Sequence, residues 1–229
     1  MDCLSGPSAE RDGGSAVSLS PVWLAADVHW AAIDEDAVVL DVAGDAYHCL
    51  PGGAALCRSL TDGRPVRRDE IVRGLQNAGL LSATPTVPPI PPPALPTRTI
   101  IHEPLRGPLW SDAASALAAL WHIHSARRGH GLRPYLDLPS PTAVQADVSR
   151  TIVAGGRFWS LLPYLPVEGE CLVRSALLMR FLHGLGLKAD WVFGVRLNPF
   201  TAHCWVQVDG VCLNDDVERL VAYTPIMVR

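Results

Sequence analysis

Residues 84 to 108 read TPTVPPIPPPALPTRTIIHEPLRGP, and this stretch limits every fold the chain can adopt. Proline has no backbone N–H and a fixed φ, so neither a helix nor a central strand can run through such a cluster, and polyproline conformation is its natural state. The sequence therefore predicts two folding blocks, residues 21–83 and 109–229, joined by a Pro-rich linker over 84–108 and preceded by a flexible N-terminus over 1–20. With 48% hydrophobic and 18% charged residues in 229, there is enough apolar material for both blocks to bury a core.

The first block opens with PVWLAADVHWAAIDEDAVVLDVAGDAYHCL, which reads as three short strands over Val22 to Trp30, Ala37 to Val42 and Ala46 to Leu50. The punctuation Asp34-Glu35-Asp36 and Gly44-Asp45 makes them a meander. Two helical stretches follow: GGAALCRSL, closed by Asp62-Gly63, and RRDEIVRGLQNAGLL, where Ile71, Val72, Leu75 and Leu80 recur at near-helical spacing. A small sheet with an open edge is a place where a peptide can add as a further strand.

The second block reads as helices first and strands after, an α+β pattern. LWSDAASALAALWHIHSARRGHG is helical, with Ser111 or Asp112 as cap and Leu117, Leu120 and Ile123 as its inner stripe. His122 and His124 lie two apart and so point to different faces, a poor arrangement for a shared metal. A second helix covers part of PTAVQADVSRTIVAGGRFWSLLPYL. The third, over 169–187, turns Leu172, Ala176, Leu177, Phe181 and Leu182 inward and ends at Gly184 or Gly186. ADWVFGVRL, TAHCWVQVDG and VCLND then read as antiparallel strands, the last two joined at Asp209-Gly210.

Composition removes several functions. Net charge is −4 and no run of Lys or Arg exceeds two, so a nucleic-acid partner is not expected. Neither a secretory signal nor an 18-residue apolar stretch occurs, which predicts a cytoplasmic protein without a membrane partner. Cys3, Cys49, Cys57, Cys171, Cys204 and Cys212 include no C-x-x-C pair, against a zinc knuckle or a disulfide scaffold. VAGGRF at 153–158 is not a phosphate-cradling loop. No metal and no cofactor are expected.

One cysteine has chemical possibilities. Cys171 opens the third helix of this block, where unpaired N–H groups and the helix dipole favour thiolate. His203, 32 residues later on an alternating strand, is a base within reach of such a helix, and Asp215 and Asp216 on the next strand can orient it. A two-residue Asp209-Gly210 turn sets His203 opposite Asp216, and a three-residue Val208-Asp209-Gly210 turn sets it opposite Asp215. Cys204 points to the other face of the strand from His203, and Cys212 sits mid-strand, so both read as core. Packing alone is the competing explanation of Cys171.

The segment EGECLVRSALLMRFLHGLGLKADWVFGVRLNPFTAHCWVQVDGVCLND resembles the transglutaminase-like leader peptidases of lasso-peptide biosynthesis, over roughly residues 110 to 229. The resemblance rests on the Cys-Leu-x-Arg-Ser helix start, the strand from Gly194 through Phe200 to Val206, and the Asp-Gly turn before Asn-Asp. It implies a transglutaminase-like, papain-like α+β cysteine peptidase domain with Cys171, His203 and Asp215 as catalytic residues, and with them the three-residue turn. Asp216 stays the alternative.

The first block is similar, in order and length, to the winged three-strand, three-helix recognition module that accompanies such peptidases, although little room is left for a middle helix. By that resemblance the leader of a lasso precursor peptide adds beside the third strand, near Tyr47, Cys49, Ile71 and Leu75. A separate ATP-dependent lasso cyclase would receive the freed core. The other functions in view are a catalytically silent leader-binding scaffold for that cyclase and an acyl transferase using the same triad.

Overall fold

The computed structural model of the protein describes residues 20–67, 69–104, 106–137, 147–165 and 171–229. The first block is built from β1 (Ser20–Pro21), β2 (Trp23–Leu24), β3 (Val28–Ile33), β4 (Asp36–Asp41), β5 (Ala46–Leu50), α1 (Ala54–Thr61), β6 (Pro65–Val66), α2 (Glu70–Asn77) and β7 (Leu81–Ser82). β3, β4 and β5 form the expected antiparallel meander, with β5 at its edge. The strand expected over Val22 to Trp30 is two strands instead. Asp27 takes a left-handed φ of 62° and breaks the run, so β2 pairs with β7 while β3 pairs with β4. Asp69 caps α2 by accepting from Val72 N–H at 2.9 Å. Among the described residues the block carries two helices, with only the short β6 between them, and not three.

Alternation along β4 gives the meander two apolar faces. Ala37 and Val39 meet Cys57, Leu60, Val72 and Leu75 from α1 and α2. Val38 and Leu40 point the other way and belong to the core of the second block.

That block contains β8 (Arg98–Thr99), α3 (Trp110–Ala126), α4 (Arg133–Leu136), α5 (Val148–Leu161), a 3-10 turn at Leu162–Tyr164, α6 (Cys171–Gly184), β9 (Asp190–Arg196), β10 (Thr201–Val208), β11 (Val211–Cys212), α7 (Val217–Leu220) and β12 (Thr224–Val228). Its sheet has the order β12-β9-β10-β11-β8, antiparallel except for the β11–β8 pair. α6 is the central helix: Ser175 through Met179, Phe181 and Leu182 are all buried, between α3 and α5 on one side and β10 on the other. Of the expected inner stripe of α3, Ile123 is buried and Leu120 packs on the core, but Leu117 faces out and Ala116 and Ala119 face in. Small residues there let α3 lie close to α6. The helix begins at Trp110, and the Asp112 carboxylate reaches back to accept from Leu109 N–H at 2.7 Å. The Ser111 side chain lies outside the described residues. Asp112, fully buried, also accepts from Arg157 on α5 at 2.9 and 3.2 Å, a two-pronged ion pair.

The linker is not a free tether. Ala94 O accepts from Gln207 Nε2 at 2.9 Å, Thr97 N–H donates to Gly210 O at 2.9 Å, and Arg98–Thr99 form the strand beside β11. Ile100 is part of the main core. Proline stops the segment from pairing over most of its length, but its proline-poor end completes the sheet. The two blocks also touch directly: β12 packs on β3, and Asp27 bonds both Arg133 and Arg229.

Candidate active site

The site forms where β11 ends. Asp209 and Gly210 both adopt left-handed conformations, φ 47° and 73°, in a two-residue turn that pairs Val208 with Val211. A three-residue turn is thus the wrong expectation. The regular register nevertheless does not carry on to Asp216. After Leu213 N–H donates to Val206 O at 2.8 Å, the Asn214 side chain takes the place of backbone and accepts from Val206 N–H at 2.8 Å. The chain leaves the sheet there, and Asp215 swings to His203 while Asp216 becomes the N-cap of α7. Asp216 accepts from Glu218 N–H at 3.0 Å and pairs with His102 at 2.9 Å.

His203 Nε2 lies 2.5 Å from Asp215 Oδ2. With that nitrogen taken, Nδ1 is left to face the Cys171 thiol, which borders the same cleft as the imidazole. Cys171 opens α6, and a second cysteine, Cys204, borders the same cleft. Cys204 does point to the α6 side of β10, opposite to His203, and is buried as expected. The chain leaves this flank of β10 after Asn214, and there Cys171, His203 and Cys204 border one cleft.

These contacts set the charges. The Cys204 S–H beside it, and then the His203 imidazolium, hold the Cys171 thiol down at about 4, against the upward push of burial. Burial pushes His203 down, but its bonds to Asp215 and Cys171 reverse this and carry it up to about 9. Burial raises Asp215 too, and its bonds to His203 and the Asp216 N–H bring it below its ordinary value. At neutral pH the pair is thiolate and imidazolium. Cys212 is a buried residue whose thiol is pushed up to about 11, in keeping with a core role.

Several supporting residues carried no signal in the sequence. Asn214 Nδ2 donates to Ser175 Oγ at 2.8 Å, tying the end of β11 to α6 one turn after Cys171. Thr99 Oγ1 donates to Asp215 O at 2.7 Å, so the linker strand steadies the carboxylate residue. Trp159 Nε1 donates to Leu213 O at 2.7 Å, and the Arg174 guanidinium lies over the Trp159 ring. Tyr223 packs on the His203 ring, with 5.2 Å between centroids. Gly194, paired with His203, leaves room for this: a Cβ would come 2.8 Å from the Trp205 ring and 3.1 Å from Tyr223 Cβ. The cleft above, about 360 Å³, is lined by Cys171, His203 and Asp215 with Arg174 and Arg219.

A second concavity, about 560 Å³, follows the open edge of β5 and is lined by Tyr47, Cys49, Ile71 and Leu75 together with His48 and Leu80. Tyr47 and Cys49 sit on the face of β5 turned to the second block, where Tyr47 meets Phe200 edge-on at 5.5 Å. Ile71 is exposed on α2, and Leu75 is buried beneath it. Among the described residues, no group of three His, Cys, Asp or Glu is arranged to hold a metal ion, and no helix is long and apolar enough to cross a membrane.

An α+β domain with a helix-initial thiol, an imidazole and a carboxylate in consecutive contact has the group arrangement of cysteine-based acyl-transfer proteins. Residues 113–228, just over half of the chain, match the transglutaminase-like superfamily, and the chain belongs to it. It is also similar to the microcin J25-processing protein McjB of Escherichia coli, 42% identical over 48 residues, which is 21% of this chain and 23% of that protein. The chain thus matches about a quarter of that relative's length. No solved structure matches it.

Proposed function

We propose that this protein is a leader peptidase of lasso-peptide biosynthesis, which holds the leader of a ribosomally made precursor along the β5 edge and cuts the leader/core bond at Cys171. The observation that carries this reading is the gathering of Cys171, His203 and Asp215 at one cleft, with His203 bonded to Asp215, in a protein that also presents an open strand edge beside an apolar groove. Similarity to a microcin-processing protein supports the substrate class.

In this mechanism the Cys171 thiolate attacks the scissile carbonyl, and the Cys171 N–H, in the first turn of α6, donates to the developing oxyanion. His203 delivers its proton to the leaving amine, and the acyl group stays on sulfur. Water then attacks, giving its proton back to His203 and releasing the leader as a carboxylic acid. Asp215 keeps the imidazole turned toward sulfur throughout. Because the two blocks pack together, a leader held on β5 reaches the thiol over a fixed path, past Tyr47 and Phe200. The released core amine passes to an ATP-dependent cyclase as partner.

Mass spectrometry of a precursor peptide incubated with wild type and with Cys171→Ala tests this, each with and without the cyclase. Cleavage at one leader/core bond by wild type alone is expected. Equal cleavage by both proteins overturns the role of Cys171. Binding with no cleavage under any of these conditions favours a silent scaffold, and a product joined to an added amine favours acyl transfer.

A further inference from the structure

Hydrolysis through Cys171 uses one thiol, and the site contains two. Cys204 is 2% exposed on β10, its Sγ 3.7 Å from the Oγ of Ser175, one turn along α6 from Cys171, and both cysteines border the same cleft. The remaining described cysteines are elsewhere: Cys57 is on the buried face of α1, Cys49 is on the β5 edge, and Cys212 is enclosed with Trp205 and Leu220. His203 accepts and returns the proton and Asp215 orients it, so acyl transfer assigns no step to the second sulfur.

We propose that Cys171 and Cys204 are a peroxide-responsive modification site, in which Cys204 resolves oxidised Cys171 into an intramolecular disulfide that switches the nucleophile off reversibly. Susceptibility to peroxide follows thiolate character and access, and Cys171 has both: it lines the open cleft and faces an imidazolium. In the first step the Cys171 thiolate attacks one peroxide oxygen, the O–O bond breaks, sulfur is oxidised by two electrons to sulfenic acid, and the departing hydroxide takes the His203 proton to leave as water. In the second, the Cys204 sulfur attacks Cys171, the S–O bond breaks, and the Cys204 proton leaves with the hydroxyl as a second water. A dithiol reductant reverses the result, becoming a cyclic disulfide while both thiols are restored. Burial keeps Cys204 itself from the oxidant, so it stays a thiol until Cys171 has reacted. Cys171 without such a neighbour would continue to sulfinic acid, which dithiols do not reverse.

The full-length protein, reduced and then treated with hydrogen peroxide, is digested and mapped by mass spectrometry, with iodoacetamide labelling of Cys171 read before and after dithiothreitol. Wild type should lose the mass of two hydrogens, yield one cross-linked peptide pair containing Cys171 and Cys204, and recover its labelling nearly completely. Cys204→Ser, and separately Cys204→Ala, should gain the mass of two oxygens at Cys171 and recover almost none. Direct sulfinic acid formation in wild type, a disulfide from Cys171 to any other cysteine, or full recovery in both variants overturns the proposal. None of these readouts uses a peptide substrate, so the outcome is independent of whether the protein is a peptidase.

Discussion

Asp215 holds His203 by Nε2 at 2.5 Å, and this one bond decides which ring nitrogen faces Cys171. The neighbouring Asp216 is bound to His102 and to the first turn of α7 and does not touch the imidazole. Asp215→Asn should therefore lower kcat on a cleavable precursor by about 10³- to 10⁴-fold, because the amide favours the wrong tautomer and no longer steadies the imidazolium. Asp216→Asn should stay within a few-fold of wild type. Steady-state kinetics of the two variants check this, and equal losses would refute the division of roles.

The charge state of the pair gives a pH profile. Cys171, held at about 4, becomes a neutral thiol as pH falls through that value, and His203, raised to about 9, loses the proton for the leaving amine as pH rises through that one. kcat/KM should rise through about pH 4, stay level across neutrality and fall through about pH 9. His203→Ala removes the cation beside sulfur and should move the midpoint of Cys171 alkylation by iodoacetamide upward, toward the ordinary thiol value of about 8.5. An alkylation midpoint near 8.5 in wild type would contradict the ion pair.

Gly194 lies across from His203 and carries the Trp205 ring and the Tyr223 Cβ over its bare Cα. Gly194→Ala forces a methyl against a rigid indole and should destabilise the protein by about 1–3 kcal/mol. Tyr223 must shift as well, so His203 loses its packing partner and activity should fall more than the unfolded fraction explains. Urea unfolding alongside kcat on the same preparation separates the two effects.

What the sequence revealed and what it hid follow from the range of the interactions. Helix-initial Cys171, the alternation around His203 and the Asp209-Gly210 turn are local patterns, and each is legible without coordinates. Choosing between Asp215 and Asp216 by register was not, because the ladder ends early: Asn214 replaces a backbone partner with its side chain, and nothing local announces that. The same holds for β8, whose strand character comes from the β11 edge it fills and not from Arg98-Thr99 themselves. Leu117 on α3 misleads for a related reason, since close packing on α6 selects the alanine face over the leucine one.

The buried ion pair between Asp112 and Arg157 joins α3 to α5 and also closes the first turn of α3. Removing one partner leaves a charge with no compensation in the interior, so Asp112→Ala should cost about 3–5 kcal/mol. Asp112→Leu combined with Arg157→Met should regain most of that loss. If the double variant is no more stable than Asp112→Ala in chemical denaturation, the Leu109 N–H bond, not the ion pair, is what Asp112 contributes.

In the proposed function, Ile71 is the residue that best separates leader binding from chemistry. It is 43% exposed on α2, beside the β5 edge and away from Cys171, so a charge there is tolerated by the fold but opposes an apolar leader side chain. Ile71→Glu should raise KM for the full precursor by about tenfold, ~1.4 kcal/mol, with kcat unchanged. A short peptide that spans only the scissile bond should be cut by both proteins at the same rate, because it never occupies the groove. Equal KM values for the full precursor would move the leader off β5, and a fall in kcat with KM unchanged would mean that α2 acts on the catalytic residues instead of on the leader.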